Sequence, residues 1–259
     1  MNDQVRIYLC EDSIDGIFSG IYEAWSSRYG HNNIKIQEKS LEQTYNIELF
    51  SEYITVETNE ELSAKVAKSV KEKIKGEAYE MLCRVALSNH TGKADLIYRF
   101  MILGFHFGPS IMEHVSDEVV SKVYQLNRYV GYEAHHLLGF VRFTELDNGI
   151  LLANIHPKNN VLTLIAPHFS DRLPEETFII FDEIRKKAVL HAPGRPWIMT
   201  DVNEGDLDRL KVTITTEDEY EKLWKTFFQH IAIKERTNKK LQRNMLPLRF
   251  RDDMTEFKQ

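Results

Sequence analysis

The sequence predicts an α+β fold: a helical cluster and a mostly antiparallel sheet, ending in an amphipathic helix and a basic arm. Three observations predict it. Apolar residues recur at spacings of three and four through much of the chain before Gly139, the pattern of helices with one buried face. From Gly139 the pattern turns to short alternating or wholly apolar runs broken by turn residues, the pattern of strands. Between Lys234 and Arg251, seven Lys or Arg residues stand against the single acid Glu235.

At 259 residues, with 42% hydrophobic and 28% charged residues, the chain has the composition of an ordinary globular protein. It is long enough for one domain over 1–259, with two lobes as the alternative: 1–138, then 139–233 followed by a basic arm at 234–259. Cys10 and Cys83 are the two cysteines, far apart, so no disulfide framework or thiolate zinc site is expected. The opening residues lack a cationic segment followed by a long apolar one, and no run approaches a membrane span. A cytoplasmic protein without cofactor or metal is therefore expected, its oligomeric state open.

Val5 to Cys10 favours a strand, and Glu11-Asp12-Ser13 supplies cap residues for a helix in which Ile14, Ile17, Phe18, Ile21, Tyr22 and Trp25 form an apolar stripe. Short strands follow at Ile34–Gln37 and Tyr53–Glu57. Helices are expected over Glu61–Lys75, Glu77–Ser88, Ala94–Phe107 and Asp117–Leu138, with turns at Asn89-His90-Thr91-Gly92 and Gly108-Pro109. Phe140–Leu146 and Ile150–Ile155 read as a hairpin joined by Asp147-Asn148-Gly149. A helix over Asn159–Phe169 precedes an antiparallel meander of Phe178–Asp182, Ala188–His191 and Trp197–Thr200. The last helix, about Glu217 to Ile233, carries Tyr220, Leu223, Trp224, Phe227, Phe228 and Ile231 on a stripe expected to dock.

Motifs for nucleophilic, Walker-type or dinucleotide chemistry are missing, and the adjacent His135 and His136 have no metal-ligand spacing. One constellation has chemical content. His156-Pro157, then His168 with Asp171 and Arg172, then Asp182, Glu183 and Arg185 could bind an anion, orient a water or form a structural ion network. The basic arm offers Lys239, Lys240, Arg243, Arg249 and Arg251 to phosphates, with Gln242, Asn244 and Phe250 for sugars or bases. A solvated helix whose leucines pack inward is the alternative. The arm carries +6, which leaves −12 on the rest of a chain whose net charge is −6.

The chain resembles a bacterial family of DNA-metabolism or DNA-repair proteins built on a domain of unknown function. The likeness covers nearly the whole length. It is carried by Tyr8-Leu9-Cys10-Glu11-Asp12-Ser13-Ile14-Asp15-Gly16-Ile17-Phe18, by His136 to Phe143, by Pro167-His168-Phe169 with Arg172, by Asp182 with Arg185, and by Ile231 to Arg236 with Leu241-Gln242 and Pro247 to Phe250. Phe178 stands where relatives often have Trp. The resemblance implies a genomic pairing with a radical-SAM protein of DNA modification or repair, and fusion of some relatives to uracil-DNA-glycosylase-like domains; it brings no catalytic residues. The leading expectation is an accessory protein that meets DNA or the radical-SAM protein through the arm and Arg185, together with His168 and Arg172. An enzyme acting on a nucleotide or nucleobase, with His168 as acid or base, Asp171 orienting it and Arg172 or Arg185 holding an anion, is one alternative. A structural subunit of a complex is the other.

Overall fold

The computed structural model describes residues 4–39, 48–203, 223–224, 226–227, 230 and 238–257. It is an α+β fold whose chain divides into two compact units, Met1–Tyr132 and Glu133–Gln259.

In the first unit β1 (Arg6–Cys10) leads into α1 (Ile14–Ser26), which returns the chain to β2 (Ile34–Glu38). With β3 (Glu52–Thr55) these form a parallel sheet in the order β2-β1-β3. Ser13 caps α1, its hydroxyl accepting from the Gly16 amide at 3.0 Å, as the cap-type residues ahead of the apolar run predict. Ile17, Phe18 and Ile21 of the expected stripe are fully buried, while Ile14, Tyr22 and Trp25 pack at its margin. Each full burial is worth about 1.5–3 kcal/mol.

Gly16 sets the approach of the loop after β1. A Cβ there would lie 2.5 Å from the Glu11 carbonyl oxygen, a backbone atom that cannot swing aside. Gly16→Ala should therefore cost about 1–3 kcal/mol, read as a lower urea midpoint with an unchanged denaturant slope. A midpoint equal to wild type would show that the loop gives way freely.

Helices α2 (Glu60–Lys73), α3 (Gly76–Ala86) and α4 (Lys93–Phe107) follow, and α5 (Glu118–Phe140) begins in this unit and runs into the second. Asn59 caps α2 through the Glu61 and Leu62 amides, and Asp117 caps α5 through Val119 and Val120. The core gathers Ile34, Ile36, Val70, Leu82, Val85, Ile97, Tyr98, Phe100 and Met101 around α1. Cys10 belongs to it, and burial pushes its thiol up to about 12, so it acts as a small hydrophobe.

The second unit holds β4 (Thr144–Glu145), β5 (Leu151–Ile155), α6 (Leu162–Arg172), β6 (Phe178–Asp182), β7 (Lys187–His191), β8 (Ile198–Asp201) and α7 (Lys239–Met245). Its sheet runs β4-β5-β6-β7-β8, antiparallel except at the β5–β6 pair, which α6 connects in parallel. The hairpin is present, with Gly149 at φ 77° and Leu146 N–H donating to the Ile150 carbonyl at 2.8 Å. Its first strand has two residues rather than the seven expected, because the helix persists to Phe140. There the Phe140 ring lies 5.6 Å from the His136 ring and 5.3 Å from that of buried Phe250, so packing overrides the local alternation. The stripe of the last helix is described only in part, and its Trp224 ring lies under the Arg142 guanidinium, at 5.6 Å. Leu223, Trp224 and Phe227 are exposed, while Tyr220, Phe228 and Ile231 lie outside the described residues. No helix among the described residues is long and apolar enough to cross a membrane.

Candidate nucleic-acid interface

The parallel β5–α6–β6 connection brings the loop after β5 and the turn after β6 to the same edge of the sheet, since Ile155 pairs with Asp182. Asp182, fully buried, accepts from the Ile184 and Arg185 amides at 2.9 and 3.1 Å, and from Arg185 Nη1 at 3.0 Å. Arg185 also donates to the carbonyls of Pro157, at 3.1 Å, and of Lys158. The crossover loop is thus held by a guanidinium that a buried carboxylate fixes in place.

Glu133 of α5 grips the same loop. Its side chain is 1% exposed and accepts from the Lys158 amide at 3.0 Å, the Asn159 amide at 2.7 Å and Asn159 Nδ2 at 2.6 Å, with Arg249 Nη1 at 2.9 Å. The helix expected from Asn159 begins at Leu162, after the two amides that donate to Glu133. A period-based reading could have found this residue: Glu133 is the carboxylate set among Val130, Ala134 and Leu137 on the buried side of α5. Nothing local in the sequence tells which cation it meets.

Two further contacts hold residues 248–257. Arg142 forms a two-pronged pair with Glu256, at 3.2 and 2.8 Å. Burial, the largest single influence, raises the Glu256 pKa, but the hydrogen bonds and charge of Arg142, together with hydrogen bonds from the backbone and Trp224, outweigh it and hold the carboxyl below its usual range. His156 Nδ1 lies 2.6 Å from Asp253, and its Nε2 lies 3.2 Å from Glu183. Partial burial works to lower the His156 pKa, yet the Asp253 hydrogen bond and the two carboxylate charges raise it above 6.5.

A raised folded pKa means that the stabilisation is fully present below 6.5 and is lost as pH rises through the folded value. The stability difference between wild type and His156→Gln should therefore shrink on the alkaline side. With His156 41% exposed, solvent screening keeps the effect small. Urea titrations across the pH range check this, and a gap independent of pH would contradict it.

His168, Asp171 and Arg172 occupy the exposed surface of the last two turns of α6. No hydrogen bond or ion pair joins them, and the ring contact of His168 is with its neighbour Phe169, at 5.1 Å. Because α6 runs back from the edge where β5 ends, its C-terminal turn lies toward the start of β6, away from Arg185. The structure therefore brings Arg185 together with His156, Asp182 and Glu183, but not with His168, Asp171 and Arg172. Among the described residues no group of three or more His, Cys, Asp or Glu is placed to hold a metal ion.

The arm divides by environment. Arg249 is bound to Glu133 and its guanidinium lies 4.5 Å from the centre of the Phe250 ring. Arg251 lies over Phe257 at 4.9 Å, with Nε buried and without a partner among the described residues. On α7, capped by Asn238 through the Leu241 amide, Lys239, Lys240 and Arg243 are all exposed and make no ion pair or side-chain hydrogen bond among the described residues. Spacings of three and four put them on one face. Leu241, Met245 and Leu248 are exposed as well, so the expectation of inward-packed leucines fails for Leu241 and Leu248. Lys234 and Arg236 lie outside the described residues.

These features define an α+β protein with an internally held crossover loop and an unpaired cationic helix face. The chain belongs to the DUF4130 family, a domain of unknown function, whose sequence profile matches residues 91–256; that span includes Glu133, His156, Asp182, Arg185, Arg249 and α7. No curated protein matches the chain. Among the solved structures that align with it are the following two. The DHH domain of a protein described as a member of a ribosomal-protein family aligns at TM-score 0.32 and 12% identity, over 74% of this chain and 74% of its own. PggH, a pGpG-specific phosphodiesterase from Vibrio cholerae, aligns at TM-score 0.31 and 11% identity, over 81% of this chain and 96% of its own.

Proposed function

We propose that this protein is an accessory factor of DNA metabolism that contacts nucleic acid through the cationic face of α7. The observation that carries the reading is the state of Lys239, Lys240 and Arg243: exposed, unpaired among the described residues, and on one face of a short helix. Like charges at this spacing destabilise a helix by about 0.2–0.5 kcal/mol per pair. Their concentration without a carboxylate between Asn238 and Arg251 suits a polyanion, whose condensed counterions are released on binding. Arg185 and Arg249 hold the fold together, so the contact set narrows to the α7 cations, with exposed Gln242 and Asn244 beside them.

The test is a titration of labelled DNA with the full chain and with Lys239→Glu/Lys240→Glu/Arg243→Glu. Weaker binding with a flatter salt dependence supports the reading. Binding unchanged in both respects removes DNA from this face, and leaves the radical-SAM protein implied by the family resemblance as the partner to test there.

A further inference from the structure

The first unit carries a second unpartnered surface, on α5. Within this unit the solvent side of the helix presents Gln125, Arg128, Tyr129 and Tyr132. Tyr129 is 55% exposed and Tyr132 57%, high values for aromatic rings. Among the described residues neither ring packs against another ring or under a cation, and the one hydrogen bond at this face is from Gln125 Nε2 to the Tyr129 hydroxyl, at 3.1 Å. Arg128 makes no ion pair or side-chain hydrogen bond with them. Between Glu118 and Glu133, the latter buried, α5 contains no carboxylate.

We infer that this face is a base-stacking platform for single-stranded nucleic acid, with Tyr129 and Tyr132 each receiving a base and Arg128 meeting the phosphates. Residues three apart on a helix have Cβ atoms about 5–6 Å apart, so the two rings are neighbours with open faces. Charge decides between occupants. In a chain of net charge −6, a stretch of α5 with an unpaired guanidinium and no acid complements a polyanion. Ring geometry decides between single strand and duplex, because a base offers its flat face to an aromatic side chain only when it is unstacked.

The inference rests on the reading that the chain binds nucleic acid and deepens it by naming the strand state. It is tested with the full chain, labelled oligothymidine and a duplex of equal length. Tyr129→Ala/Tyr132→Ala should bind oligothymidine about a hundred-fold more weakly, about ten-fold for each stacked base, with duplex binding unchanged. Tyr129→Phe/Tyr132→Phe, which keeps both rings, should bind oligothymidine like wild type. Undiminished oligothymidine binding by the alanine pair would overturn the inference, as would equal losses on single strand and duplex. So would a change from dimer to monomer in sedimentation of the alanine pair, which would assign the face to a second copy of the chain. If the α7 reversal weakens binding and the alanine pair does not, the platform alone fails; if wild type binds neither ligand, both proposals fall.

Discussion

Glu133→Ala should destabilise the protein by about 3–5 kcal/mol, the range for removing one partner of a buried ion pair. The carboxylate is buried and serves four donors: two backbone amides, Asn159 Nδ2 and Arg249. Truncation strands the Asn159 groups in a buried place, at about 1–3 kcal/mol for each unsatisfied donor. Arg249, 36% exposed, recovers some hydration, which places the loss toward the lower end. Arg249→Met removes one donor and leaves the other three in place, so its cost should be well below that of Glu133→Ala. Urea unfolding of both variants checks the order. If Glu133→Ala lost less than about 1 kcal/mol, the crossover loop would not depend on this carboxylate.

The reversal of Lys239, Lys240 and Arg243 should have the largest effect on binding. Each phosphate contact contributes about 0.9 to the slope of log affinity against log salt on duplex DNA, so losing three flattens the slope by about 3 and lowers affinity on the order of 10- to 100-fold at moderate salt. Reversal also moves the net charge from −6 to −12, because three cations become three anions. A control with the same charge change at Lys65, Lys68 and Lys71, exposed on α2, separates local contact from general repulsion. The control should retain most of the affinity that the α7 variant loses.

Local signals in the sequence were sufficient for α1, where the cap at Ser13 and the stripe through Ile17, Phe18 and Ile21 agree, and for the Asp147-Asn148-Gly149 turn. Where long-range packing competes with local pattern, they were not. Phe140 alternates with its successors like a strand residue but stays helical against Phe250. The parallel pairing of β5 and β6 depends on how α6 returns the chain, which strand propensity does not encode.

The polar residues show the same division. His156, Asp182 and Arg185 could be grouped from sequence because Asp182 and Arg185 share one turn, but Glu133 and Asp253 come from distant segments and complete the network by folding. The arm was visible as a charge run. Its separation into structural Arg249 and unpaired Lys239, Lys240 and Arg243 was not, because a guanidinium beside a buried carboxylate and one facing water have the same letter.

The most direct test of the account is the slope of log affinity against log salt for the wild-type chain and the α7 charge-reversal variant on one DNA ligand. Two lines that differ in slope by about 3, with the variant flatter, are the predicted result. Parallel lines of equal affinity would contradict it.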